Sequence, residues 1–359
     1  MRRFTVLFLV LVLAGILIFS GIVSAKEELK IGLVYIGPVG DAGWTYAHDL
    51  GRQYIEEKFP EVETTYIESV PEGSESISVI KSLARKKYDI VFTTSFGYMN
   101  PTIQVAAEYP DTVFEHCSGY KTAENVGTYF GRMYQARYLT GIVAGSMTES
   151  NTIGYVAAHP IPEVIRGINA FTLGVKYANP EAKVNVVWTN TWYDPGIEKE
   201  AAISLLDIGA DVIAQHQDTP APQQAAEERG VYSIGYNVDM AKFAPEAHLT
   251  APVWDWGIIY EDIVEKVMDG SWKTHETWWG LKENAVDIAP FGPMVTDDVK
   301  AKVAGAREAI ISGDLDVFGG VIKDQDGNIV VPAGENMTDL EMLQMNFFVE
   351  GVIGHLPEN

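Results

Sequence analysis

The sequence predicts an α/β protein of two lobes, each built on a parallel sheet, and three observations carry that expectation. Short apolar runs alternate with amphipathic helical stretches at a period of roughly thirty residues, as βαβ units do. The runs fall into two series of similar size, at 29–36, 62–67, 90–94 and 113–116, and then at 152–156, 183–188, 212–215 and 231–236. Several runs in both series end in aromatic and hydrogen-bonding side chains, at the carboxyl ends of strands where open parallel sheets bind ligands.

Taken in order, KIGLVYI reads as a buried strand, GPVGDAG as a turn and Trp44 as the start of a helix, so Asp41, Trp44, Thr45 and His48 are expected to face a cleft at a helix N-terminus. Asp41 has two readings there, an edge hydrogen-bonding group or a cap of the helix that follows. The third run ends in Ser95, Phe96 and Tyr98, and the fourth in His116 and Ser118. In the second series the ends carry His159 and Arg166, Trp192 and Asp194, His216 with Gln217 and Asp218, and Asn237 with Asp239. Arg166 sits on a helix opening near Pro162 and reaches either a ligand or an acidic neighbour; Gln217 and Asp218 serve either recognition or their own loop. Between the strands, Val164, Ile168, Phe171 and Val175 recur at helical spacing, as do Ala201, Leu205 and Ile208, and these stripes are core. Beyond the second series, 299–311 reads as an amphipathic helix and 337–354 as helical or mixed. DQDGN at 324–328 reads as a hairpin turn and not a calcium loop, since the downstream glutamate is missing. Trp272, Trp278 and Trp279 read as packing at a strand or lobe edge.

Arg2 and Arg3 precede an apolar run from Phe4 to Val23, and Val23-Ser24-Ala25 offers the small residue that a signal peptidase needs. Residues 1–25 are therefore expected to be an export signal, with an uncleaved membrane anchor as the alternative. No cysteine stands directly after that run, so the sequence is not that of a typical lipoprotein. Cys117 is the single cysteine, so no intrachain disulfide can form, and it is expected to be a small buried hydrophobe. What remains of the chain suits two domains. A formal charge of -23 argues against nucleic acid and anionic membranes as partners.

Four stretches together, GDAGWTYAHDLG, IPEVIRGINAFTLGVKYANP, WYDPGIEKEAA and GADVIAQHQD with GVYSIGYNVDM, resemble the BMP family, the basic membrane protein or PnrA-like substrate-binding proteins of ABC transporters. The resemblance covers essentially the whole chain after the signal. It implies a type I periplasmic-binding-protein fold, with two Rossmann-like lobes joined by a three-segment hinge that closes on a ligand. By analogy, residues 26–118 and 250–288 form the N-lobe, and 119–249 and 289–359 the C-lobe. The best-known members bind purine nucleosides, and the resemblance implies a membrane permease as partner and a monomeric chain.

Set against the family's nucleoside pattern, this chain has a larger stacking aromatic at Trp44, has lost an amide at Thr45, and departs in two further places. The position of the family's ribose-binding Asp is Asn237, and the position of its lysine near the second crossover is Trp254. Both changes weaken a ribose site, since a carboxylate is the natural bidentate acceptor for sugar hydroxyls and an indole there fills the space. The expected ligand is therefore a purine base, adenine first, stacked between Trp44 and Trp192. Asp41, Thr45, Phe96, Ser118, Arg166, Gln217, Asp218, Asn237 and Trp254 complete the candidate set. Of the tryptophans at 254 and 256, extended alternation makes only Trp254 a candidate. A nucleoside receptor is the alternative within the family. Enzymatic readings are thin, with no Gly-x-Ser-x-Gly, no His-Glu-x-x-His and no P-loop. A nucleoside hydrolase is the remaining enzymatic rival, although its usual N-terminal aspartate cluster is missing. No cofactor and no metal is called for.

Overall fold

A computed structural model describes residues 28–357; the expected export signal lies outside the described residues. In the first lobe, β1 (Leu29–Val34) leads into α1 (Trp44–Lys58), β2 (Val62–Ile67), α2 (Ser74–Arg85), β3 (Ile90–Thr93), α3 (Met99–Ala106), β4 (Val113–Cys117) and β5 (Val126–Gly131). The second lobe holds α4 (Met133–Met147), β6 (Thr152–Ala157), α5 (Pro162–Ala178), β7 (Lys183–Trp188), α6 (Pro195–Asp207), β8 (Val212–His216), α7 (Ala221–Glu228), β9 (Tyr232–Ile234) and β10 (His248–Thr250). The chain returns to the first lobe through β11 (Pro252–Trp254), α8 (Trp256–Met268) and β12 (Glu276–Trp279). It goes back through β13 (Val286–Ile288) to α9 (Asp297–Ser312), β14 (Ile322–Lys323), β15 (Ile329–Val331), α10 (Asp339–Leu343) and β16 (Val352–Ile353).

Two six-stranded sheets result, ordered β12-β5-β4-β3-β1-β2 and β10-β9-β8-β6-β7-β16. Every pairing within them is parallel. Helices cover both faces, which is why the central strands read as unbroken apolar runs; Ile31, Leu33, Val34, Ile90, Val91 and Phe92 are wholly buried. β11 and β13 pair antiparallel as a ribbon between the lobes. This two-lobed, parallel-sheet architecture with three crossings is the one expected, and Cys117 is a buried free thiol.

The differences have local causes. β5 pairs with both β4 and β12, so the first sheet runs beyond residue 118 as far as Gly131. Its sequence, VGTYFG, lacks an apolar run and is buried because β12, from far along the chain, covers its outer side. Ile208 is 59% exposed, because α6 ends at Asp207 before the apolar stripe can reach it. Strand alternation likewise stops at Trp254: Trp256 opens α8, and the two indoles stack at 4.4 Å and 15° instead of facing opposite ways. DQDGN does turn a hairpin between β14 and β15, with Asp324 accepting the Asn328 N–H at 2.8 Å. In the second lobe α4 and α5 touch backbone to backbone, since a Cβ at Gly174 would lie 2.0 Å from the Tyr138 carbonyl oxygen. No helix among the described residues is long and apolar enough to cross a membrane.

Candidate functional site

The carboxyl ends of both sheets meet across a cleft. Its inner chamber, of about 30 Å3, is lined from the first lobe by Ile36, Trp44, Ser95, Phe96 and Ser118, and from the second by Glu163, Trp192, His216, Asp218 and Tyr236. Each of these follows, ends or lies just beyond a strand or opens a helix. An outer chamber of about 190 Å3 shares Phe96, Ser118 and Glu163, and adds Tyr120, Arg166, Glu276 and Trp278 among others. The two are parts of one space between the lobes.

Trp44 is held from both ends. Its indole N–H donates to the Thr94 carbonyl oxygen at 2.7 Å, while the ring meets Trp254 edge-on at 5.6 Å and Trp256 at 5.5 Å. Phe96 follows Ser95, whose hydroxyl donates to Glu72 at 2.6 Å, and the same carboxylate accepts the Gly97 N–H at 3.0 Å. Trp192 lies edge-on to His159 at 4.8 Å, and its carbonyl oxygen accepts the Asp218 N–H at 3.3 Å. Aromatic faces thus come from both lobes.

The polar groups are unusually dry. Burial lifts the Glu163 carboxyl to about 7, against the pull of Arg166 and Arg137. Burial, and then the carboxylates of Asp41 and Glu198, push Asp218 well above the usual carboxylate range, while a hydrogen bond from Asn237 and one from the Trp44 amide pull it back. The imidazole of His216 is pushed well down by burial, with Arg137 and Arg166 adding to the effect, so it is neutral at pH 7. A carboxyl that keeps its proton can donate a hydrogen bond as well as accept one, so these two walls can meet either kind of polar edge.

Asp218 also shows how the lobes meet. It belongs to the second lobe but receives the backbone N–H at the start of α1 in the first. The approach is possible because residue 43 is glycine; a Cβ there would lie 2.3 Å from the Asp218 carbonyl oxygen. Gly43→Ala is therefore expected to hold the lobes apart and to weaken ligand binding roughly tenfold, with the isolated fold unchanged, as calorimetry and circular dichroism would report.

Of the sequence-predicted residues, Trp44, Phe96, Ser118, Trp192 and Asp218 line the inner chamber and Arg166 the outer one. The other five stand behind the walls. Asp41 spends both oxygens on α1, accepting the Gly43 N–H at 2.8 Å, the Thr45 N–H at 2.9 Å and the Tyr46 N–H at 3.0 Å. It is a cap, and Asp41→Ala is expected to cost about 1 kcal/mol of stability by denaturant titration. The Thr45 hydroxyl accepts the Gly37 N–H at 3.2 Å, and Gln217 donates to the Thr189 hydroxyl at 2.5 Å. Asn237 is fully engaged, donating to Asp218 at 3.1 Å and accepting the Trp254 indole N–H at 2.9 Å.

Residues outside the candidate set also line the cleft: Ile36, Ser95, Glu163, His216 and Tyr236. Glu163 directly follows Pro162 at the start of the helix after β6, so the strand-end argument that picked out Trp44 could have reached it. Trp278, read from sequence as packing, lines the outer chamber with its ring between Arg132 at 4.3 Å and Arg166 at 5.0 Å. Arg166 itself donates to the Met342 carbonyl oxygen at 2.8 Å.

The family model for ABC transporter substrate-binding proteins of the PnrA-like type matches residues 28–317. A purine-binding protein of Brucella abortus is 47% identical over 340 residues, covering 94% of this chain and 97% of the relative. The "Putative ABC transporter glucose-binding protein" of Haloferax volcanii is 44% identical over 335 residues, covering 93% and 83%. Among solved structures, a solute-binding protein of an ABC transporter system from Aeropyrum pernix shares the fold with a TM-score of 0.71 at 20% identity, covering 82% of this chain and 93% of that one. With a cleft between two parallel-sheet lobes and a family match over most of its length, this chain belongs to the PnrA-like substrate-binding proteins of ABC transporters.

Proposed function

We propose that the chain binds a purine base, adenine first, between its lobes, and delivers it to a membrane permease from the extracytoplasmic side as an exported monomer. The observation that carries this reading is the bond from the Trp254 indole to Asn237, with Asn237 in turn committed to Asp218. The two positions that hold ribose in nucleoside binders of this family are here tied to each other, behind the cleft wall. Trp44, Phe96 and Trp192 remain as apolar faces, with Asp218, Glu163, Ser95 and Ser118 at the edges. The inner chamber, about 30 Å3, is too small for a two-ring base, so on this reading a ring enters as the lobes part about the hinge.

The energetics suffice. Stacking contributes about 1 to 3 kcal/mol per aromatic contact, and two faces with a few edge hydrogen bonds reach the roughly 8 kcal/mol of micromolar binding. The Brucella relative named for purine binding supports the ligand class. A sugar ligand is the second reading: the relative from Haloferax is named for glucose binding, and the outer chamber offers an indole, carboxylates and hydroxyls.

The test is calorimetry on protein refolded to strip carried-over ligand, with adenine, guanine, hypoxanthine, adenosine, ribose and glucose. A free base should bind most tightly. Adenosine binding far tighter than every base would defeat the argument from Asn237 and Trp254, and glucose alone binding would replace purine with sugar. Release of free base from adenosine would make the protein a nucleoside hydrolase.

A further inference from the structure

Behind the inner chamber, and sharing Glu163, His216 and Tyr236 with it, lies a small hole whose other lining groups, Arg137 above all, ligand recognition does not account for. It has a volume of about 10 Å3, about that of one water or one small ion, and is lined by residues that include Arg137, Glu163, Arg166, Gly167, His216 and Tyr236. Arg137 is wholly buried, yet only one of its donors is used, Nη1 to the Gln215 carbonyl oxygen at 2.6 Å. Its Nε and Nη2, together with His216 Nδ1 and the Tyr236 hydroxyl, have no hydrogen-bond partner among the described residues. The guanidinium lies over the Tyr236 ring at 3.8 Å, which leaves its edge as the only place for a polar partner.

Charge decides what that partner is. Two guanidiniums border the hole, and neither has a carboxylate within 4 Å among the described residues. Glu163 is the single acid on the lining; its near partner is His216 Nε2 at 3.8 Å and not a guanidinium, and burial lifts its carboxyl to about 7, so it offers the two guanidiniums only part of one negative charge at neutral pH. A buried cation with unused donors is costly unless an anion or a full set of hydrogen bonds meets it. Water would satisfy the donors and leave the charge; a monatomic anion answers both.

We infer that Arg137, His216 and Tyr236, with Arg166 beside them, form a binding site for a chloride-sized inorganic anion behind the ligand cleft. Its donors are two N–H groups of Arg137, the Tyr236 hydroxyl and the Nδ1–H of a neutral His216. The hole exists because residue 167 is glycine inside a helix. A Cβ there would lie 3.6 Å from Arg137 Nε and 3.7 Å from His216 Nδ1, in ordinary contact and in front of both donors.

That geometry supplies a variant that folds. Alanine is favoured over glycine in a helix interior, so Gly167→Ala should raise the unfolding midpoint if the hole holds nothing that matters. Thermal unfolding of the ligand-free full chain would be followed in sodium chloride, sodium bromide and sodium gluconate at equal ionic strength. The wild-type midpoint is expected to rise by about 2 to 4 °C with chloride or bromide over gluconate. Gly167→Ala and Arg137→Met should lose that difference, and crystals grown in bromide should show an anomalous peak between Arg137, His216 and Tyr236. Equal midpoints in all three salts with no bromide peak would overturn the inference and leave a water site. A halide effect that persists unchanged in Gly167→Ala would overturn it too, by placing the anion elsewhere.

Discussion

Trp192→Ala is expected to weaken binding of a purine base by about 1 to 3 kcal/mol, roughly five- to 150-fold, without unfolding the protein. The side chain is one of two candidate stacking tryptophans, and it is the better one to remove. Trp44 is bonded to Thr94 and wedged against Trp254 and Trp256, so truncating it disturbs the hinge along with the cleft. Trp192 sits on a loop fixed by its backbone. Its carbonyl oxygen accepts the Asp218 N–H, and Asp194 caps α6 by accepting the Gly196 and Ile197 N–H groups at 3.0 Å. The ring itself touches His159 and His216 at the mouth and wall of the cleft. Calorimetry on Trp192→Ala and Trp192→Phe should show a loss that phenylalanine largely restores. Unchanged affinity in the alanine variant would take Trp192 out of the site.

The parts of the fold that were legible in the sequence were those set by local pattern. The strands at 62–67 and 183–188 came out with their observed limits although both are only partly buried, because a short β-branched and aromatic stretch between two helical stretches has few other solutions. β5 and β12 were not legible, because neither segment is a continuous apolar run: β5 is a strand between β4 and β12, and β12 is one only beside β5. The same division runs through the site. Trp44, Phe96, Ser118, Trp192 and Asp218 were found because a position at a strand end predicts a position on the cleft. Asp41 could not be separated from a ligand group, since capping and recognition ask for the same residue at the same place; only the three N–H bonds decide. The reversal of Trp256 required knowing that α8 begins there. Arg137 gave no sign at all, lying in the middle of an apolar helix whose neighbours became visible only once the lobes were assembled.

Glu163→Gln is expected to remove a pH dependence of stability worth at most about 3 kcal/mol. Burial raises the carboxyl from its usual 4.5 to about 7 in the folded chain. Between those values the folded state holds a proton that the unfolded chain has already released. Stability therefore falls as pH rises from about 4.5 to about 7 and is flat above that, where both states are ionised. Glutamine cannot ionise, so the variant should match the wild type near pH 4.5 and exceed it near pH 8, by denaturant midpoints at the two values. Asp218 shifts in the same direction and remains in both proteins, so the difference between the two curves isolates Glu163. Parallel curves would mean that the folded carboxyl titrates normally. The same proton bears on the ligand, because Glu163 lines both chambers of the cleft. A neutral carboxyl can donate a hydrogen bond and an ionised one can only accept, and a value of about 7 leaves both forms available at neutral pH.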